Sequence, residues 1–278
     1  MSLRRVALVV LLGASLTQVD CARRQRVAPP PRAPVPPLPA AERLELGLRR
    51  VQSRNRVDAV ANVKGVPGLG AMGLTVDLLA ERPARLYVAA RSFFGPPTDE
   101  LWTDGTRYVW RSARPGAGGA GPASPEVMTA LLPVPLPASQ WVGLLLGMPL
   151  PAEPPVAVRD CPGPDETRPR DSYCVMVMYA DGARAELRLA GDGAVEEALL
   201  TREGGTLKVT YTDRRADLDG LATTLAMDLV EGNALGLPRQ ASLQLKEVRL
   251  NGPAPAPALF APLDAVAPPF LDEATPQP

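Results

Sequence analysis

The chain has 278 residues, with 30 basic and 30 acidic side chains, three Cys and no His. The absence of His excludes Ser-His-Asp and Cys-His nucleophile systems, His metal ligands and a His proton shuttle; three thiols cannot make a four-thiolate zinc site; and a formal net charge of zero leaves no electrostatic footprint for nucleic acid. Apolar residues make up 46% of the chain, enough for a sizeable core, and much of the excess in its 33 Pro and 24 Gly sits at the two ends.

The first segment, residues 1–21, reads as an export signal. Arg4 and Arg5 are a charged start, and Val6 to Leu12 is a continuous apolar run, too short for the ~20 apolar residues of a transmembrane helix. Export implies a compartment in which disulfides persist. Cys21 stands where a bacterial lipoprotein carries its diacylated cysteine, but Gln18-Val19-Asp20 replaces the usual Leu-Ala-Gly-like lead. Two readings stay open: lipidation of Cys21, or ordinary cleavage nearby. Residues 22–40 contain seven prolines and read as a tether; in polyproline II these 19 residues span roughly 60 Å.

The body, residues 41–251, opens with a helix. Leu44, Leu48 and Val51 fall at i, i+4 and i+7, one apolar stripe, with Arg43, Arg49, Arg50 and Arg54 around the rest. After Asn55 the period changes to two. Leu86, Val88 and Ala90 alternate with Arg85, Tyr87 and Arg91; Tyr108 and Trp110 with Arg107, Val109 and Arg111; Ala185, Leu187 and Leu189 with Arg184, Glu186 and Arg188; Leu207, Val209 and Tyr211 with Lys208, Thr210 and Thr212. One apolar and one wet face predict an antiparallel sheet. Turn signals at Asp104-Gly105, Asp181-Gly182, Asp192-Gly193 and Gly204-Gly205 divide it into hairpins. Eleven or twelve strands are expected, with a bulge near Lys246-Glu247 to reconcile Leu243 and Leu245 with Val248 and Leu250.

Two short helices interrupt the meander. Ser124-Pro125-Glu126 opens the first, with Val127, Ala130 and Leu131 following and Pro133 stopping it. Ser139 caps the second, which carries Trp141, Val142, Leu144, Leu145 and Leu146 and ends at Gly147. A helix apolar nearly all round is buried or lines a cavity. A curved sheet with helices packed in its concave side follows. Residues 252–278, rich in Pro and Ala, read as a mostly irregular tail that packs through Leu259 and Phe260.

No catalytic constellation emerges. Gly68-Leu69-Gly70-Ala71-Met72-Gly73 matches G-x-G-x-x-G, but an alternating strand follows where a dinucleotide site needs a helix and then an acid. Asp213, Asp217 and Asp219 lack calcium-loop spacing. Glu196-Glu197 and Asp99-Glu100 are strand neighbours that point to opposite faces. No acid, base and nucleophile assemble, so no enzyme activity and no cofactor or metal is expected. Cys161 and Cys174 flank a polar segment between two strands and read either as a disulfide stapling a loop or as two reduced thiols.

The order of export signal, Cys, helix and interrupted meander carries a resemblance, together with Val60-Ala61-Asn62-Val63-Lys64-Gly65, Ser92-Phe93-Phe94-Gly95, Thr103-Asp104-Gly105-Thr106-Arg107-Tyr108 and Leu132-Pro133-Val134-Pro135-Leu136. From Leu44 to Phe260 the chain resembles the LolA/LolB superfamily of bacterial envelope lipoproteins, most of all its uncharacterised lipoprotein branch. The resemblance implies a mainly β fold, an incomplete antiparallel β-barrel with helices in its concave side. It also implies an apolar cavity for acyl chains of lipoproteins or lipids, and an outer-membrane lipid anchor facing the periplasm. The alternative is an accessory subunit of an envelope complex with a filled cavity. Interior candidates are Leu86, Val88, Trp102, Tyr108, Trp110, Trp141, Leu145, Leu187 and Leu189, of which some are plain core. Phe93 and Phe94 occupy the hairpin that in LolB-type members contacts the membrane; the other reading is that one of them caps the barrel's open edge.

Overall fold

The computed structural model describes residues 38–65, 73–91, 97–124, 136–162, 172–203, 205–231 and 240–265, with Val127, Met128, Leu131, Leu132 and Val134 between them. Cys21, the Gly-rich segment 68–72, Phe93, Phe94 and the tail beyond 265 lie outside the described residues. The folded body begins with α1 (Ala40–Gln52). Six strands follow: β1 (Arg56–Lys64), β2 (Leu74–Glu81), β3 (Arg85–Ala90), β4 (Asp99–Thr103), β5 (Arg107–Ser112) and β6 (Gly118–Pro122). Helix α2 (Ala138–Leu146) interrupts them. The chain then makes β7 (Ala157–Asp160), β8 (Ser172–Met178), β9 (Arg184–Ala190), β10 (Val195–Arg202), β11 (Gly205–Arg215), β12 (Leu221–Glu231) and β13 (Gln240–Leu250), and closes with one turn of helix, α3 (Ala261–Asp264).

All thirteen strands belong to one antiparallel sheet in the order β6-β5-β4-β3-β2-β1-β13-β12-β11-β10-β9-β8-β7. Every neighbour in space is a neighbour in sequence except β1 and β13, which pair with each other. The sheet is therefore a ring of hairpins left open between β6 and β7, an incomplete barrel. The chain crosses that opening once, and α2 lies in the crossing segment.

The period-two pattern produces the inner face. Along β1, Val57, Ala59, Ala61 and Val63 are buried while the residues between them are not; β9 does the same with Ala185, Leu187 and Leu189. The Asp-Gly hairpins form where the sequence places them: Asp181 and Asp192 each accept the amide two residues on, from Ala183 at 2.9 Å and Ala194 at 3.0 Å. In β13 the register shifts opposite Asp58 and Val60, with Glu247 at φ 48°, which is the expected bulge. It turns Val248 and Leu250 back so that both, partly buried, pack against the core cluster that holds Leu243 and Leu245.

Two expectations change. The strand count is thirteen because β6 pairs with β5 and β7 with β8. Both are edge strands with almost no buried residue, so neither leaves an apolar alternation to read. In α1 the buried stripe is Ala40, Leu44, Gly47 and Val51, and Leu48 is 42% exposed. The two small residues let the helix lie close against the body, so the stripe runs through positions that hydrophobicity alone passes over.

Candidate functional site

The concave face is shared by two helices. α1 packs on β7 and β8, and α2 on β1, β2 and β3. α2 starts at Ala138 behind Pro137 with no side-chain cap, so Ser139 lies inside the first turn rather than capping it. Gln140 to Leu146 are all buried; Leu144, Leu145 and Leu146 are at most 1% exposed. Gly147 ends the helix in the left-handed conformation at φ 94°, a position that an L side chain adopts only with strain. After it the chain folds back on the helix: the Met148 amide donates to the Gly143 carbonyl at 2.8 Å. A Cβ at Gly143 would lie 2.5 Å from the Met148 carbonyl oxygen, so only glycine fits this contact.

Carbonyls in the last turn of a helix have no intrahelical donor. Here two buried side chains reach in. Arg54 Nη1 donates to the Leu146 carbonyl at 3.0 Å, and Tyr211 Oη to the Leu144 carbonyl at 3.3 Å. Arg54 is 2% exposed. Its other nitrogens donate to Asp219, Nη2 to the backbone carbonyl and Nε to Oδ2 at 3.4 Å. Burial lowers the Arg54 pKa, and the Asp219 carboxylate pulls the other way. The guanidinium stays charged, and a cation at a helix C-terminus is favourable. Burial drives the Tyr211 phenol well above its ordinary range, so it stays a donor. One cation thus ties α2 to the end of α1 and to the β11–β12 turn. No local pattern marks this role, because Arg54 sits among several arginines and its partners are far along the chain.

The interior candidates divide. Leu86, Trp141, Leu145, Leu187 and Leu189 are buried in the main cluster together with α2. Val88, Tyr108 and Trp110 pack against that cluster and are only partly buried. Tyr108 and Trp110 lie on β5, next to the free edge β6, where the aromatic rings have glycines opposite them. Trp102 is a correction: it belongs to a separate small cluster with Val109 and Leu263, flanked by Tyr87 and Phe260. On β4, Leu101 takes the inward position. Alternation therefore turns Trp102 to the outer face, where the tail covers it; Phe260 helps, and Leu263 of α3 is the buried anchor.

Among the described residues, two polar atoms on α2 are buried without a partner: Gln140 Oε1 and Trp141 Nε1. Such atoms cost about 1–3 kcal/mol each when left unpaired. Cys161 and Cys174 form a disulfide with Cα atoms 5.5 Å apart, tying the end of β7 to β8. Asp217 pairs with Arg215 beside the β11–β12 turn. No helix among the described residues is long and apolar enough to cross a membrane.

No protein-family model and no curated protein matches the sequence. By structure the chain is similar to a LolA superfamily protein from Nitrosomonas europaea, at 12% identity, with 81% of this chain and 98% of that one covered and a TM-score of 0.52. It is also similar to a domain assigned to the outer membrane lipoprotein-sorting proteins from Vibrio parahaemolyticus, at 10% identity, 78% and 95% coverage and a TM-score of 0.51. A DUF1329 family protein from Desulfovibrio piger matches at 12% identity, 80% and 97% coverage and a TM-score of 0.50. The open, mainly β, antiparallel sheet of this chain is thus similar in fold to these three structures, one of them a LolA superfamily protein.

Proposed function

We propose that this chain is a non-catalytic, lipid-anchored protein of the bacterial envelope that binds acyl chains of lipoproteins or lipids between the sheet and α2, as a carrier or acceptor. The observation that supports this most is α2 itself. It has no charged residue, it is buried on nearly every side, and its C-terminal end is tied down by two side-chain hydrogen bonds. Such a helix can exchange places with hydrocarbon. The magnitudes allow hydrocarbon to replace the helix. Burying Trp141, Leu144, Leu145 and Leu146 away from water contributes roughly 6–12 kcal/mol, and one 16-carbon chain about 12 kcal/mol. A single chain therefore matches the upper end of the helix's range, and a second chain exceeds it. In the same reading Cys21 carries the anchor, residues 22–40 span to the body from the outer membrane, and Phe93 and Phe94 touch the bilayer.

The test is native mass spectrometry of the protein purified from its own envelope. Co-purified diacyl or triacyl lipid is the expected result, and protein free of lipid that also fails to take up added lipopeptide rejects the reading. A second reading has an observation of its own: the α2 side chains already pack the described interior. An accessory subunit with a permanently filled core would return lipid-free and co-purify instead with an envelope protein.

A further inference from the structure

Gln140 and Trp141 are out of place on a helix whose other buried positions are hydrocarbon or glycine. They are 2% and 4% exposed. Gln140 Nε2 reaches the Pro149 carbonyl at 3.5 Å, which leaves Oε1 unmet, and Trp141 Nε1–H also has no acceptor among the described residues. The neighbouring polar groups are not like this: Tyr211 Oη and the Arg54 guanidinium each have partners. Of the five such unpartnered side-chain atoms among the described residues, these two are on adjacent residues and on the element that covers the concave face. A Met at 140 fills about the same volume with no polar atom to bury, so packing alone gives no reason for the amide; the indole at 141 fills space that a Phe would not, but its N–H adds nothing to that packing. One is an acceptor and the other a donor, and a hydrocarbon chain satisfies neither.

We infer that Gln140 and Trp141 recognise the linkage end of the ligand rather than its chains: Trp141 Nε1–H donates to an ester carbonyl oxygen, and Gln140 Oε1 accepts from an amide N–H or a hydroxyl. The ligand class is then an acyl ester lipid that also carries an amide or free hydroxyl, as acylated glyceryl groups do. This rests on the acyl-binding reading above and adds the polar contact that would select among apolar molecules. Because a hydrogen bond in a dry interior is stronger than one in water, the pair also fixes how far the ligand enters.

The experiment compares two probes of equal chain length, 1,2-dipalmitoylglycerol and its 1,2-dihexadecyl ether analogue, which has the same hydroxyl but no ester carbonyl. Wild-type protein is expected to bind the ester about tenfold more tightly, one hydrogen bond's worth. Trp141→Phe is expected to abolish that preference. Gln140→Met is expected to weaken both probes, because both present the hydroxyl. Gln140→Met conserves volume, and its melting temperature should equal or exceed that of the wild type, since an unpaired buried atom has been removed; Trp141→Phe loses a ring and should melt somewhat lower, so it is read by the ester-to-ether ratio and not by absolute affinity. Equal affinity of the wild type for ester and ether, or an ester preference that survives Trp141→Phe, overturns the assignment while leaving acyl binding intact. Failure of the wild type to bind either probe overturns the acyl-binding reading and this one with it.

Discussion

Arg54 joins the end of α1, the end of α2 and the β11–β12 turn through one buried side chain. Removing it leaves the Leu146 carbonyl and the Asp219 backbone carbonyl without their donor. Arg54→Leu is therefore expected to lower stability by about 1–3 kcal/mol, read by chemical denaturation. It should also speed hydrogen exchange of the amides around 144–147 beyond the global effect; unchanged exchange there would mean that α2 is held by packing alone. Tyr211→Phe removes one bond to the same helix end, and the double variant should be non-additive because both contacts restrain one element. At this scale the sequence was informative where the period was clean. Leu86, Leu187 and Leu189 are interior because each falls on the apolar phase of a strand whose other phase is mainly polar. Trp102 was misplaced because Leu101-Trp102 puts two apolar residues side by side, and nothing local says which one faces in. Arg54 was illegible for another reason: its acceptors are backbone carbonyls, which have no residue type.

Among the elements, α2 and its return segment make a sharp steric prediction. Gly143→Ala forces a Cβ onto the Met148 carbonyl and should destabilise by about 1–3 kcal/mol, the cost of overpacking; a melt showing no loss would mean the return segment yields freely. The β4–β5 hairpin makes a prediction about pH. Burial alone would raise the Asp104 pKa, but hydrogen bonds from the Thr106 hydroxyl, the Arg107 and Thr106 amides and the Arg107 guanidinium outweigh it and hold the carboxyl well below its usual range. A depressed folded pKa stabilises above the unfolded value near 4 and loses that contribution as pH falls below it. Asp104→Asn should flatten the acid side of a stability–pH profile between about pH 5 and pH 2, and an identical slope would contradict the role of these bonds. The helices were legible in kind but not in detail. α2 is legible because Trp141, Val142, Leu144, Leu145 and Leu146 crowd the span before Gly147, whereas Ser139 is no cap because the helix starts behind Pro137 without one.

Among the described strands, the antiparallel sheet follows from alternation and hairpin turns, its incomplete closure is what the family resemblance implies, and the edge strands β6 and β7 escape the pattern because they bury no residue. The disulfide between Cys161 and Cys174 staples a short span beside β7, while the sheet supplies most of the buried area. Reduction should thus lower the melting temperature by an amount equivalent to about 3 kcal/mol and leave the circular dichroism of the sheet in place; loss of the sheet signal would give the bond a larger part. Cys21→Ser is expected to move the protein from the membrane to the soluble fraction, as the two-signal anchoring of lipidated chains requires; a wild type that is already soluble would remove the anchor from the proposal.

The pairing of β1 with β13 has a kinetic consequence. Eleven of the twelve strand pairings in the sheet order join sequence neighbours and can zip up locally. One, which brings Ala61 opposite Leu245, must wait for the two ends of the body to meet, and it carries most of the loop-closure entropy of the fold. The exits from that pair are already clasped, since Asn251 accepts the Asn55 amide at 2.8 Å and donates to the Ser53 carbonyl at 2.7 Å. A circular permutant with its old ends linked and new ends between Pro151 and Pro155 would turn that distant meeting into one more hairpin. Its refolding, followed by stopped-flow fluorescence, should be faster than that of the natural strand order, and an equal rate would mean that the β1–β13 pairing is not the limiting step.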